Sequence, residues 1–124
     1  MNITIRFASY QVDAELLDTP TGRAIYEALP IHENISLWGD EIYFEIPVET
    51  GLEPDSRAAV SLGDLGYWPN MPAFCIFYGP TPVSSGNTPV AASAVNIFGK
   101  LSTVEPEKLR AIPEGSKVTV TRAD

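Results

Sequence analysis

The run Ala73-Phe74-Cys75-Ile76-Phe77-Tyr78 constrains this chain most, because it is apolar at every position. Successive side chains of a strand point to opposite faces. A strand covered on one side alternates apolar and polar residues, whereas one without a polar face is covered, or used, on both. Whatever fold the chain adopts must place material on each side of this segment.

The rest of the sequence supplies that material mostly as strands. Residues 2–8 set Ile3, Ile5 and Phe7 against Asn2, Thr4 and Arg6, the period of two that marks a half-buried strand. Residues 11–17 repeat it with Val12, Ala14 and Leu16 inward. Asp18-Thr19-Pro20 is a helix start: an oxygen side chain can cap free amides, and proline lacks a donor that the first turn would leave unpaired. Ile25, Ala28 and Leu29 share one helical face, and Pro30 ends the segment. Residues 34–38 and 41–46 read as a strand pair around Gly39-Asp40, with Ile42, Phe44 and Ile46 facing one way and Glu41, Tyr43 and Glu45 the other. Residues 48–61 are a long loop with room for a helical turn, and Gly63-Asp64 is a tight turn into a strand at 65–68. Residues 79–92 form an irregular surface loop, 94–101 another strand, Glu105-Pro106 a short helix through Arg110, and 116–122 a last strand. The element order predicts a mostly-β single domain over 1–124: a compact closed barrel of about eight strands, with two short helices plugging its ends.

Composition narrows the partners. With 44% hydrophobic residues the chain fills one core without a disulfide, which a single cysteine, Cys75, could not form internally. A net charge of −8 repels nucleic acid and anionic lipid, and lysine and arginine are scattered singly. Met1–Phe7 lack the basic and apolar regions of a signal peptide, and no apolar run approaches the ~18 residues that cross a bilayer. The expected setting is the cytoplasm, as a monomer or weak homodimer, with no nucleic acid or membrane partner. No glycine-rich phosphate loop is present, so no nucleotide cofactor is expected.

Several segments carry a family resemblance. Ile97-Phe98-Gly99-Lys100-Leu101 resembles the apolar-Phe-Gly-Lys-apolar strand of cyclophilins, and Tyr43-Phe44-Glu45-Ile46-Pro47 resembles their strand ending in Ile-Pro. Leu17–Thr21, Trp38–Phe44, Gly63-Asp64, Tyr67-Trp68-Pro69, Phe74–Pro82 and Val95-Asn96 are similar to a family of short prokaryotic cyclophilin-like proteins. That family is poorly characterised in function, so the resemblance implies the fold and little of the chemistry. In classical cyclophilins an arginine on the Ile-Pro strand orients the proline carbonyl. Its position here is Phe44, and the histidine preceding the Phe-Gly strand falls at Val95. Neither can donate the hydrogen bonds that polarise a twisting prolyl amide. The resemblance therefore implies a cyclophilin-like barrel that binds without isomerising. The alternative is a weak peptidyl-prolyl isomerase with Arg57 as donor.

The residues themselves point the same way. His32, the only histidine, has no ligand or triad partners at recognisable spacing, so no metal site and no catalytic residue is assigned. Cys75 reads as a packed core thiol, because no cation or helix terminus activates it. Glu41 and Glu45 lie about 13 Å apart along an extended strand, too far to cooperate, and read as a solvated face. The aromatic residues exceed what a barrel core needs. Trp38, Tyr43, Phe44, Tyr67, Trp68, Phe74 and Phe77, with Glu45, Thr81 and Asn96 at the margin, are the candidates for a groove on the barrel exterior holding a small molecule or short peptide. Trp68-Pro69 and Gly79-Pro80 are the expected places for a cis bond.

Overall fold

The computed structural model describes residues 1–123. The chain runs β1 (Asn2–Arg6), β2 (Gln11–Leu16), α1 (Pro20–Ala28), β3 (Ile31–Asn34), β4 (Ser36–Leu37), β5 (Glu41–Glu45), β6 (Arg57–Ala59), β7 (Asp64–Trp68), β8 (Ala73–Phe77), β9 (Val90–Leu101), α2 (Pro106–Arg110) and β10 (Lys117–Arg122). All described ladders are antiparallel, in the order β3-β10-β1-β2-β9-β7-β8-β5-β4, and β6 adds to β9. The end strands of this path, β3 and β4, are successive stretches of one chain separated by Ile35. The sheet thus curls into a barrel without a ladder between its ends, where the sequence suggests a closed one. The cause is local: the segment pairs with β10 along its first part and with β5 along its second. The 48–61 stretch holds a strand, β6, rather than a helical turn, and β9 begins four residues before the expected 94.

Register explains the interior. Phe44 pairs with Phe74, and Phe74 with Tyr67, so three aromatic rings from neighbouring strands face inward together. Phe74 stacks on Phe44 at 4.8 Å between centroids and meets Phe98 edge-on at 4.9 Å. Ile3, Ile5, Val118 and Val120 complete the same core from the opposite wall.

Each end of the barrel is stopped by a helix. Thr19 caps α1 by accepting from the Gly22 amide at 3.0 Å, and Ile25 points inward, fully buried. The 48–53 loop is fastened across this end. The Tyr67 hydroxyl donates to the Val48 carbonyl at 2.7 Å, and the Asn96 carbonyl oxygen accepts from the Glu53 amide at 2.7 Å. The Asn96 amide group donates to Gly51 O at 3.0 Å and to Thr21 Oγ1 at 3.1 Å. At the other end, Leu109 of α2 is fully buried, and Arg110 grips Asp40 with two hydrogen bonds of 3.2 and 2.8 Å. The cis peptide bonds are Leu29-Pro30 and Met71-Pro72; Trp68-Pro69 and Gly79-Pro80 are trans.

Candidate functional site

The outer face of β8 carries Ala73, Cys75 and Phe77, each buried although it points away from the barrel core. They form a second apolar cluster with Val60, Ala91 and Val95. The cover that the apolar run 73–78 demands is thus the 57–60 segment and the start of β9. Between this cluster and the strand pair β4–β5 lies a pocket of about 220 Å³. Glu41, Cys75, Phe77 and Val95, all buried, make its floor; Trp38, Tyr43 and Trp68, all half-buried, make its walls.

Each wall side chain is placed by an identifiable local device. The Trp38 amide donates to the Glu41 carbonyl at 3.0 Å, closing the turn through Gly39, whose φ of +59° suits glycine. The Trp68 indole donates to the Ser93 hydroxyl at 2.7 Å, which ties its ring to β9. Tyr43 and Glu41 follow from the alternation of β5, opposite Cys75 and Phe77 respectively. Gly66 leaves the room that the floor occupies: a Cβ there would lie 2.9 Å from Val95 Cγ2 and 3.0 Å from Phe77 Cε2.

Glu41 is the unusual member. It is only 6% exposed, and none of the ion pairs among the described residues reaches it. Burial pushes its carboxyl up to about 7, against a hydrogen bond from the Cys75 thiol that favours the ionised form. Burial also pushes the Cys75 thiol well above its ordinary range, and the neighbouring carboxylate adds to the shift. Cys75 is therefore a neutral thiol and a poor nucleophile. The site offers one ionisable acceptor, a neutral thiol beside it, and aromatic walls. Among the described residues no group of three or more His, Cys, Asp or Glu side chains could hold a metal ion.

Of the groove candidates, Trp38, Tyr43, Trp68 and Phe77 line this pocket. Phe44, Tyr67 and Phe74 do not: their register turns them into the barrel, where each is at most 1% exposed. Glu45 is exposed at the far end of β5, beside a shallow notch shared with Ile31–Glu33 and Pro47. Thr81 is buried and donates to the Val90 carbonyl, while its own amide donates to Ser84 Oγ at 2.9 Å; it closes the 81–90 loop. Asn96 is committed to the 51–53 segment and α1. His32 is exposed on β3, its Nδ1 3.2 Å from Thr119 Oγ1. Glu41 and Cys75 line the pocket although they are not among the groove candidates that the sequence suggests. The available signal was that Glu41 shares the Tyr43 face of β5 while the apolar 73–78 run demands cover on both of its faces.

The Cyclophilin-like family model matches residues 1–121. The chain belongs to the cyclophilin-like family. A hypothetical protein of Archaeoglobus fulgidus, solved in solution, is 40% identical, with a TM-score of 0.83 over 99% of this chain and 95% of that one. McbB, solved in complex with tryptophan, is 14% identical with a TM-score of 0.68, over 97% of this chain and 44% of McbB, a likeness of fold alone. No curated protein matches this chain. No helix among the described residues is long and apolar enough to cross a membrane.

Proposed function

We propose that this chain is a binding domain that holds a small molecule, or one side chain of a short peptide, in the pocket outside its barrel. The observation that carries this reading is the buried Glu41 carboxyl at the floor of an aromatic-walled cavity, with no ion-pair partner among the described residues. Unpaired buried carboxyl groups are costly, and a concave apolar site with few polar groups is the usual form of a ligand pocket. A volume of about 220 Å³ suits a ligand smaller than drug size, for which pockets of roughly 300–1,000 Å³ are usual. McbB, which shares this fold over 44% of its length, is itself solved in complex with a small molecule, tryptophan. A cytoplasmic setting fits the buried free thiol of Cys75.

Isomerisation is set aside because Phe44, the position matched to the cyclophilin arginine, is 1% exposed and faces the core. One observation favours the isomerase reading: Arg57 on β6 pairs with Val95, a residue of the pocket floor. Exchange NMR on a proline tetrapeptide separates the two, with no acceleration expected. Catalysis that is lost in Arg57→Ala would favour the isomerase instead.

Binding is tested by titrating a fragment library into the labelled protein. Saturable shifts at Trp38, Tyr43, Trp68 and Phe77 are expected. A library that moves none of them rejects the pocket as a ligand site.

A further inference from the structure

We propose that the ligand of this pocket is an organic cation, an ammonium group seated against Glu41 between the rings of Trp38, Tyr43 and Trp68. This rests on the reading of the pocket as a small-molecule site and adds the charge of the ligand. Three independent features carry it.

The first is the missing counter-charge. Each acid that forms an ion pair among the described residues has its own lysine or arginine: Asp18 with Arg23, Asp64 with Lys100, Glu105 with Lys108 and Asp40 with Arg110. Asp40 is the chain neighbour of Glu41, and its arginine is fully occupied by a two-point grip. Glu41, more buried than any of these cations, has no ion-pair partner among the described residues. No lysine, arginine or histidine among the described residues lines the pocket, so none of these lining residues would hold an anion.

The second is the chemistry of the walls. Tryptophan and tyrosine present electron-rich faces that attract a cation, and ammonium groups are recognised elsewhere by boxes of such rings with an acid alongside. An apolar pocket needing only hydrophobic contact would be served as well by leucine or isoleucine. The third is the field of the whole protein. A net charge of −8 draws cations towards the surface and repels anions.

The test compares matched pairs that differ in charge and little in shape. Choline is titrated against 3,3-dimethylbutan-1-ol, and benzylammonium against benzyl alcohol, into the full chain at low salt, with pocket resonances as readout. The cations should bind at least about tenfold more tightly than their neutral partners. Glu41→Gln should remove that preference, so that each cation and its neutral partner bind about equally. The wild-type comparison stands without the variant, should the variant fold poorly. Equal or tighter binding of the alcohols overturns the proposal, as does the absence of cation binding when uncharged fragments do bind. If no fragment of any charge binds, the pocket reading itself fails with it.

Discussion

Glu41 and Cys75 lie one diagonal step apart across the β5–β8 ladder, Glu41 opposite Phe77 and Cys75 opposite Tyr43, and both line the pocket floor. The pair sits under an aromatic rim and out of bulk water, and its chemistry follows from that placement.

The carboxyl gives stability a pH dependence. Its folded value of about 7 lies above the ordinary 4.5 of the unfolded chain. Between these values the native state holds a proton that the unfolded state has lost, so this contribution is complete below about 4.5 and is lost as pH rises through 7. The cost above pH 7 is about 3 kcal/mol. Glu41→Gln should therefore be more stable than wild type at pH 8 by about 2–3 kcal/mol and equal to it near pH 4. Urea unfolding at both pH values checks this; a difference that does not change with pH contradicts it.

The thiol should be inert. Cys75 is 2% exposed and its thiolate is disfavoured by burial and by the adjacent carboxylate. A chromogenic disulfide reagent at pH 8 should find no reactive thiol in the folded protein and one in concentrated urea. Rapid modification of the folded protein would show that the pocket floor opens.

Asn96 should be costly to remove. Its side chain accepts from Glu53 N and donates to Gly51 O and Thr21 Oγ1, at 1% exposure. Asn96→Ala strands these partners and should cost about 3 kcal/mol. Hydrogen exchange at the Glu53 amide should speed up before any other effect. Asn96→Asp keeps the acceptor for that amide and loses the donors, so it should protect Glu53 better than alanine does.

Gly66 should tolerate no side chain. A methyl group there meets Val95 and Phe77 across the pocket floor. Gly66→Ala should cost about 1–3 kcal/mol, as overpacked cores do. It should also move the Phe77 ring resonances. An unchanged Phe77 spectrum would mean that the floor yields elsewhere.

The barrel was legible where one residue's face predicts its neighbour's. Ile42, Phe44 and Ile46 alternate with polar residues, and Thr19-Pro20 marks a helix start, because these signals are local. Apolar residues on both faces of 73–78 correctly demanded cover on both sides. What covers the outer face was not legible. Val60, Ala91 and Val95 reach Cys75 and Phe77 through pairings of β6, β7 and β9 that no sequence period records. The alternation of β5 alone therefore places Glu41 on a solvated face, although it is buried. Phe74 and Tyr67 were misplaced for the related reason that a doubly apolar strand does not say which face is inside; the register with Phe44 decides it.

The split strand at Ile35 also bears on how copies of this chain meet. A sheet edge recruits further strands through its unpaired amides and carbonyls. Here the two terminal strands of the sheet path are four and two residues long and belong to one continuous segment, flanked by Pro30. β6, the added strand, is three residues long. Among the described residues these edges offer a neighbouring molecule at most four residues of ladder, so the curl of the sheet also shortens the template for runaway strand addition.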